Sequence, residues 1–240
     1  MIERDVLILA AGRGTRLGLE IPKPMVPICG RPLLAHTAEN LAAINPDRTI
    51  VVVGHRADQI IRYFGNSFEY RFQQQLNGNA GALKVGLEGI GSRQSNILVI
   101  QGDDSAFYTP ETYITLFTAH ERRNSDVTVL LTNRYCKGTH GGQFSVGYHG
   151  RILSYKRPIF NPRSGGFFTG ACCFKKPFLE TYLPKLTPSP NGEFIMPQLF
   201  QLAIQDSRAI HAIFVKELEW FGINTPEELA IAQEIMRGRG

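Results

Sequence analysis

Residues 9–24, LAAGRGTRLGLEIPKP, directly follow a short apolar run and bring together two things that phosphate chemistry needs. The small residues Ala10, Ala11, Gly12 and Gly14 let backbone N–H groups come close to anionic oxygens. Arg13, Arg16 and Lys23 add positive charge, the last held between Pro22 and Pro24. An arginine can grip a polyphosphate through several hydrogen bonds, whereas a lysine acts as a compact point charge. The spacing is that of neither common phosphate loop. A dinucleotide fingerprint would need glycine at position 17, which is Leu17, and the Gly-Lys-Ser/Thr of a P-loop is absent. Further along, Asp103 and Asp104 close the apolar run NILVIQG (96–102). Their hard carboxylate oxygens suit Mg²⁺, although an aspartate after a strand also serves to cap the next turn.

Such residues need a scaffold, and the chain supplies a recognisable one. DVLILA (5–10), RTIVVVG (48–54), NILVIQG (96–102) and DVTVLLT (126–132) are apolar throughout, the pattern of strands buried on both faces. Helical periodicity runs through 31–44, 55–64, 80–90 and 110–123, the last with Thr109 as N-cap and Pro110 in the first turn. Strands alternating with helices predict βαβ units and a three-layer α/β fold with a mainly parallel sheet. Ligands bind such folds at the carboxyl ends of the strands, where the loop after 5–10 belongs. Beyond residue 135 the rhythm changes to a hairpin around His149-Gly150, a strand GGFFTGACCF, and helices in GEFIMPQLFQLAIQD and TPEELAIAQEIM. With no repeat or linker, residues 1–240 read as one domain.

An apolar fraction of 43% in 240 residues supports a sizeable core, and 20% charged residues argue against disorder. The net charge of +5 suits a phosphorylated substrate. No run of five basic residues occurs, which speaks against nucleic-acid binding. Cys29, Cys136, Cys172 and Cys173 have neither metal-ligand spacing nor a disulfide framework, as expected of reduced thiols in a cytoplasmic protein. The first residues are too briefly apolar for a membrane span or signal segment. Homo-oligomerisation is left open.

LAAGRGTRLGLEIPKPMVPICGRPLL resembles the signature of the sugar-1-phosphate nucleotidyltransferases, G-x-G-T-R-[LM] followed shortly by P-K. The four residues between Leu17 and Pro22 are closer to the N-acetylglucosamine-1-phosphate uridylyltransferase spacing than to that of the thymidylyltransferases. The resemblance implies a Rossmann-like nucleotide-diphospho-sugar transferase fold. It also implies transfer of a nucleotide from a nucleoside triphosphate to a sugar 1-phosphate, with Mg²⁺ as cofactor. In that frame Leu9, Ala10, Ala11, Gly12, Gly14 and Thr15 wrap the nucleotide. Arg16 holds the departing pyrophosphate, and Lys23 the phosphates at the reacting centre. QQQLNGNAGALKVGLE (73–88) is similar to the base-reading segment, which assigns Gln75 to the base edge and Gly78 and Ala80 to the surface beneath it. Asn79 stands where the family usually has threonine, and the segment carries an extra residue, so the base is left open. Asp103 takes the metal with Asp104 supporting it. WFGINTPEEL makes Asn224 the second metal ligand, since Gly222 replaces the aspartate of the thymidylyltransferases.

The acceptor side departs from the pattern. SYKRP stands where the family has E-K-P, and FFTG where it has N-T-G. Lys156 or Arg157 would bind the acceptor phosphate, with Gly142, Thr169 and Glu193 on the sugar side. Tyr155 or Lys156 replaces the glutamate and Phe168 the asparagine, which alters which acceptor fits. An unusual sugar phosphate, or an alcohol phosphate such as phosphocholine on a cytidylyltransferase, is the resulting alternative. A catalytically silent regulatory subunit is another. No hexapeptide repeats precede Gly240, so the chain is expected to be either a stand-alone transferase or the catalytic part of a longer protein.

Overall fold

A computed structural model of the chain describes residues 2–14, 20–91, 94–103, 105–134, 142–156, 165–216 and 218–239. The opening apolar run forms β1 (Glu3–Ala10), followed by a small ribbon of β2 (Pro27–Ile28) and β3 (Arg31–Pro32). Next come α1 (Leu33–Ala42), β4 (Arg48–Val53), α2 (Ala57–Phe64), β5 (Glu69–Phe72), α3 (Asn79–Gly86), β6 (Ser95–Gln101), α4 (Pro110–Arg122) and β7 (Val127–Thr132). The hairpin β8 (Gln143–Val146) and β9 (Ile152–Lys156) leads to β10 (Gly166–Lys175), α5 (Lys176–Tyr182), α6 (Pro197–Gln205), β11 (Ile210–Phe214) and α7 (Pro226–Arg237). The four strands and four helices expected in the first half are all present. So are the hairpin and the strand through Phe167–Phe174. The sixth helix starts only at Pro197, several residues later than its apolar pattern suggests.

The main sheet has the order β11-β7-β10-β6-β1-β4-β5, with β8 and β9 attached along β10. β6, β1, β4 and β5 are mutually parallel. β10 is inserted antiparallel between β6 and β7, and β11 returns parallel to β7. The parallel strands therefore end on one edge, and β10 lies beside it.

Pleating sends alternate side chains of β1 to opposite faces. Leu7 and Leu9 join Ile50, Val52, Ile97 and Val99 under α3, α5 and α6. Val6 and Ile8 join Val51, Val53, Leu98 and Ile100 under α1, α2 and α4. Each such side chain contributes roughly 1.5–3 kcal/mol on burial. This two-sided burial makes the three layers. A third cluster, with Ile28, Leu33, Phe107, Phe221 and Ile223, fastens α7 to the β2–β3 ribbon. No helix among the described residues is long and apolar enough to cross a membrane.

Candidate active site

Beyond the carboxyl ends of β1 and β6 lies a cleft of about 570 Å³. One wall is the loop leaving β1, with Ala11, Gly12, Arg13 and Gly14. Gly14 has φ +61°, and a Cβ there would stand 3.1 Å from Lys23 Cβ and 3.2 Å from its backbone nitrogen. Only glycine lets the loop lie directly on Lys23 without displacing it. Lys23 opens a 3₁₀ turn, Lys23–Met25, framed by Pro22 and Pro24. The Met25 N–H donates to the Pro22 carbonyl at 2.8 Å and the Val26 N–H to the Lys23 carbonyl at 3.0 Å. The lysine side chain is 9% exposed, and its Nζ reaches Asp103 Oδ2 at 2.7 Å. Asp103 is delivered by β6: the Gly102 N–H donates to the Leu9 carbonyl at 3.0 Å, which binds the start of this loop to the end of β1.

A second wall comes from the start of α3. Gly78 has φ +96°, and a Cβ there would stand 2.4 Å from the Phe194 carbonyl oxygen. The Phe194 N–H donates to the Asn77 carbonyl at 2.7 Å, and the Ala80 N–H to the Phe194 carbonyl at 3.0 Å. Asn79 Oδ1 accepts from the Met196 N–H at 2.7 Å. These bonds clamp residues 193–196 to the helix start and bring Glu193 to the cleft. Gln73, almost fully buried, donates from Nε2 to Asn77 Oδ1 at 2.9 Å and to the Gly78 carbonyl at 3.1 Å.

The third wall is Asn224, at the approach to α7. Its position follows from a capping box. Thr225 accepts from the Glu228 N–H at 3.2 Å, while Glu228 Oε2 accepts from the N–H groups of Asn224 at 2.6 Å and Thr225 at 3.1 Å. One carboxylate thus fixes the backbone that carries the asparagine.

Residues 6–161 match the MobA-like NTP transferase domain. The chain belongs to that family. As a MobA-like NTP transferase it is also similar to bifunctional GlmU proteins: 29% identical over 244 residues to that of Enterococcus faecalis, and 29% over 244 residues to that of Geobacillus thermodenitrificans. Each alignment covers all of this chain and 53% of the relative, so the chain spans about half the length of the curated relatives it matches. Among solved structures, a UDP-glucose pyrophosphorylase complexed with UDP-glucose superposes over the full length of both chains, with a TM-score of 0.80 and 19% identity. HddC from Yersinia pseudotuberculosis gives a TM-score of 0.73 at 23% identity, over 98% of this chain and 100% of that one. The expected family and fold are thereby borne out.

In this NTP transferase the cleft gathers Leu9, Ala11, Gly12, Gly14, Lys23, Gly78, Asp103, Glu193 and Asn224 of the residues expected from sequence. Others are placed elsewhere. The Ala10 side chain faces the opposite core. The Ala80 side chain is buried and its N–H is already given to Phe194. Gln75 is exposed and borders a neighbouring cleft of about 630 Å³, because the chain bends at Gln74 and Gln75 and a tight Asn77 N–H bond to the Gln75 carbonyl turns it outward. Thr169 is buried and donates its hydroxyl to the Leu130 carbonyl at 2.9 Å. Gly142 (φ +90°) lies against the Tyr155 ring, and Lys156 is exposed at the end of β9. Thr15, Arg16, Asp104, Cys136 and Arg157 lie outside the described residues. Sequence reading missed Gln73, Leu76 and Gln101, which also line the cleft. Gln101 offered a signal, being the polar residue that ends an otherwise apolar strand.

Proposed function

We propose that the protein is a sugar-phosphate nucleotidyltransferase that joins a nucleoside triphosphate and a sugar 1-phosphate, releasing pyrophosphate, and that it works in the cytoplasm. The observation that carries this reading is the meeting of Lys23, Asp103 and Asn224 in one cleft under a glycine loop. The relatives support it: the one is named for UDP-glucose pyrophosphorylase activity, the others are bifunctional GlmU proteins. The free thiols of Cys29, Cys172 and Cys173 support a reducing compartment.

Among the described residues the cleft lining contains no serine, threonine, cysteine or histidine, so it offers no hydroxyl, thiol or imidazole as a covalent nucleophile. None is needed, because the acceptor phosphate is itself the nucleophile toward the α-phosphorus. Lys23 would neutralise charge at the reacting phosphates, and Arg16 would hold the departing pyrophosphate. Gln73 and Gly78 line the end suited to the base. Gln101 and Glu193 offer polar groups to ribose or acceptor. The donor set fits Mg²⁺: Asp103 and Asn224 supply hard oxygens, and no cluster of three or more His, Cys, Asp or Glu competes among the described residues. Two protein ligands suit an ion that keeps waters and takes substrate phosphate oxygens. When bound, it would neutralise and orient the triphosphate.

Pyrophosphate release with Mg²⁺ tests this across UTP, CTP, GTP, dTTP and ATP against hexose 1-phosphates, N-acetylated and amino-sugar phosphates, and phosphocholine. One dominant Mg²⁺-dependent pair with a sugar phosphate is expected. With that pair, Lys23→Ala or Asp103→Ala should lower turnover at least about a hundredfold, the scale of losing one transition-state contact. Near-normal turnover in either variant would overturn the assigned role.

A further inference from the structure

In the cleft, the carboxylate best suited to a metal is paired with a lysine. Lys23 Nζ stands 2.7 Å from Asp103 Oδ2, with the lysine side chain 9% and the aspartate side chain 29% exposed. Neither partner is loosely placed. Lys23 springs from a turn bounded by two prolines and roofed by Gly14, and Asp103 follows a glycine hydrogen-bonded to β1. The other charged side chains among the described lining are Arg13 and Glu193, which add one charge of each sign. Asn224 is neutral, and Glu193 already accepts a hydrogen bond from Asn191 Nδ2 at 3.0 Å. The described cleft therefore offers a divalent cation no net negative charge. It opposes the approach of that cation with an ammonium group on Asp103 Oδ2. Mg²⁺ gives up water reluctantly, so a neutralised carboxylate and a carboxamide are a weak invitation.

We propose that Lys23 is a latch on Asp103, so that the free protein excludes the divalent cation and takes it up only together with a polyphosphate. This rests on the metal role that the proposed function gives to Asp103. An incoming polyphosphate supplies anionic oxygens to the lysine, which can leave the carboxylate for them. The same oxygens complete the coordination of a cation on the freed Asp103. Linkage then requires that cation and polyphosphate raise each other's affinity by the same factor. Lys23 thus acts twice: as a gate on the ground state of the metal site and as a charge at the reacting phosphates.

The test needs neither the base nor the acceptor to be known. Binding of Mn²⁺ alone is measured by equilibrium dialysis on the free wild-type protein, Lys23→Met, Lys23→Gln and the double variant Lys23→Met/Asp103→Asn, each checked for folding by circular dichroism. Lys23→Met and Lys23→Gln should bind Mn²⁺ at least about tenfold more tightly than wild type, within the usual range of site coupling. The added Asp103→Asn should abolish that gain. Equal Mn²⁺ affinity in wild type and both single variants would overturn the latch, as would tight Mn²⁺ binding to the free wild-type protein. Either result would leave the transferase reading standing, because that reading is decided by pyrophosphate release. A gain that survives Asp103→Asn would also overturn the proposal, by moving the metal away from Asp103.

Discussion

At the scale of single residues, the site depends on close approach as much as on charge. Gly14 and Gly78 both have positive φ, and each touches another part of the cleft where a Cβ would have to go. At Gly78 the obstacle is the Phe194 carbonyl, backbone that cannot be turned aside. At Gly14 it is the stem of Lys23, at 3.1 Å, the residue asked to meet the phosphates. Gly14→Ala should therefore damage function more than fold. The left-handed φ costs an L-residue about 1 kcal/mol, which in a chain of this size lowers Tm by about 2–4 °C. Displacing Lys23 should lower kcat at least about tenfold, since small misplacements near the reacting atoms are expensive. Thermal unfolding and steady-state pyrophosphate release on the same preparation separate the two effects. A variant with unchanged kcat would show that the loop does not set the position of Lys23.

At the scale of elements, α7 delivers Asn224 through its cap rather than through its core-facing stripe. Glu228→Ala removes the carboxylate that accepts from both Asn224 and Thr225. Stability should fall by about 1 kcal/mol, as for a lost cap. The half-saturating Mg²⁺ concentration should rise several-fold while kcat at saturating Mg²⁺ changes little. A Mg²⁺ titration of the rate checks this, and an unchanged midpoint would refute the link between cap and metal site. The same element explains part of what was legible in sequence: INTPEEL carries cap, first-turn proline and ligand in one string. β1, β4, β6 and β7 were legible because burial on both faces requires nearly continuous apolar runs. β5 (EYRF) was not, since its edge position leaves all four residues half-buried or exposed and its two aromatic strand formers, Tyr70 and Phe72, alternate with charges over only four residues. Within the site, Lys23 and Asp103 sit in strong local patterns. Gln73 could not be told from Gln75 because the choice is made by a bend at Gln74 and Gln75. The burial of Thr169 comes from neighbours distant in sequence, Tyr108 and Leu130, whose bonds to it are long-range.

At the scale of the whole molecule, the three layers close over titratable groups that have no part in the proposed chemistry, and these set the response to acid. His120, on α4, is fully buried; its Nδ1 is 2.9 Å from Thr128 Oγ1 on β7 and its Nε2 has no hydrogen-bond partner among the described residues. Burial lowers its pKa to about 4, with Lys175 pushing in the same direction and Glu121 and Asp126 opposing. Unfolded, the ring titrates near 6.5. Between those values the unfolded chain holds a proton that the folded chain does not, so stability falls as pH drops from about 6.5 to about 4 and this contribution levels off below. The full effect is on the order of 3 kcal/mol, a sizeable share of the stability of a typical domain. His211, lowered by burial and by the nearby charges of Arg123 and Arg151, acts in the same sense. Asp5 acts oppositely over its own range, since burial raises its carboxyl pKa. Both remain in a His120→Leu variant, so the comparison isolates one ring. Urea unfolding of wild type and His120→Leu at several pH values between 7 and 4.5 should give a shallower decline in the variant, whatever its absolute stability. Parallel pH profiles would mean that the ring is not kept neutral in the folded protein, and that the acid response of the fold comes from its other titratable groups.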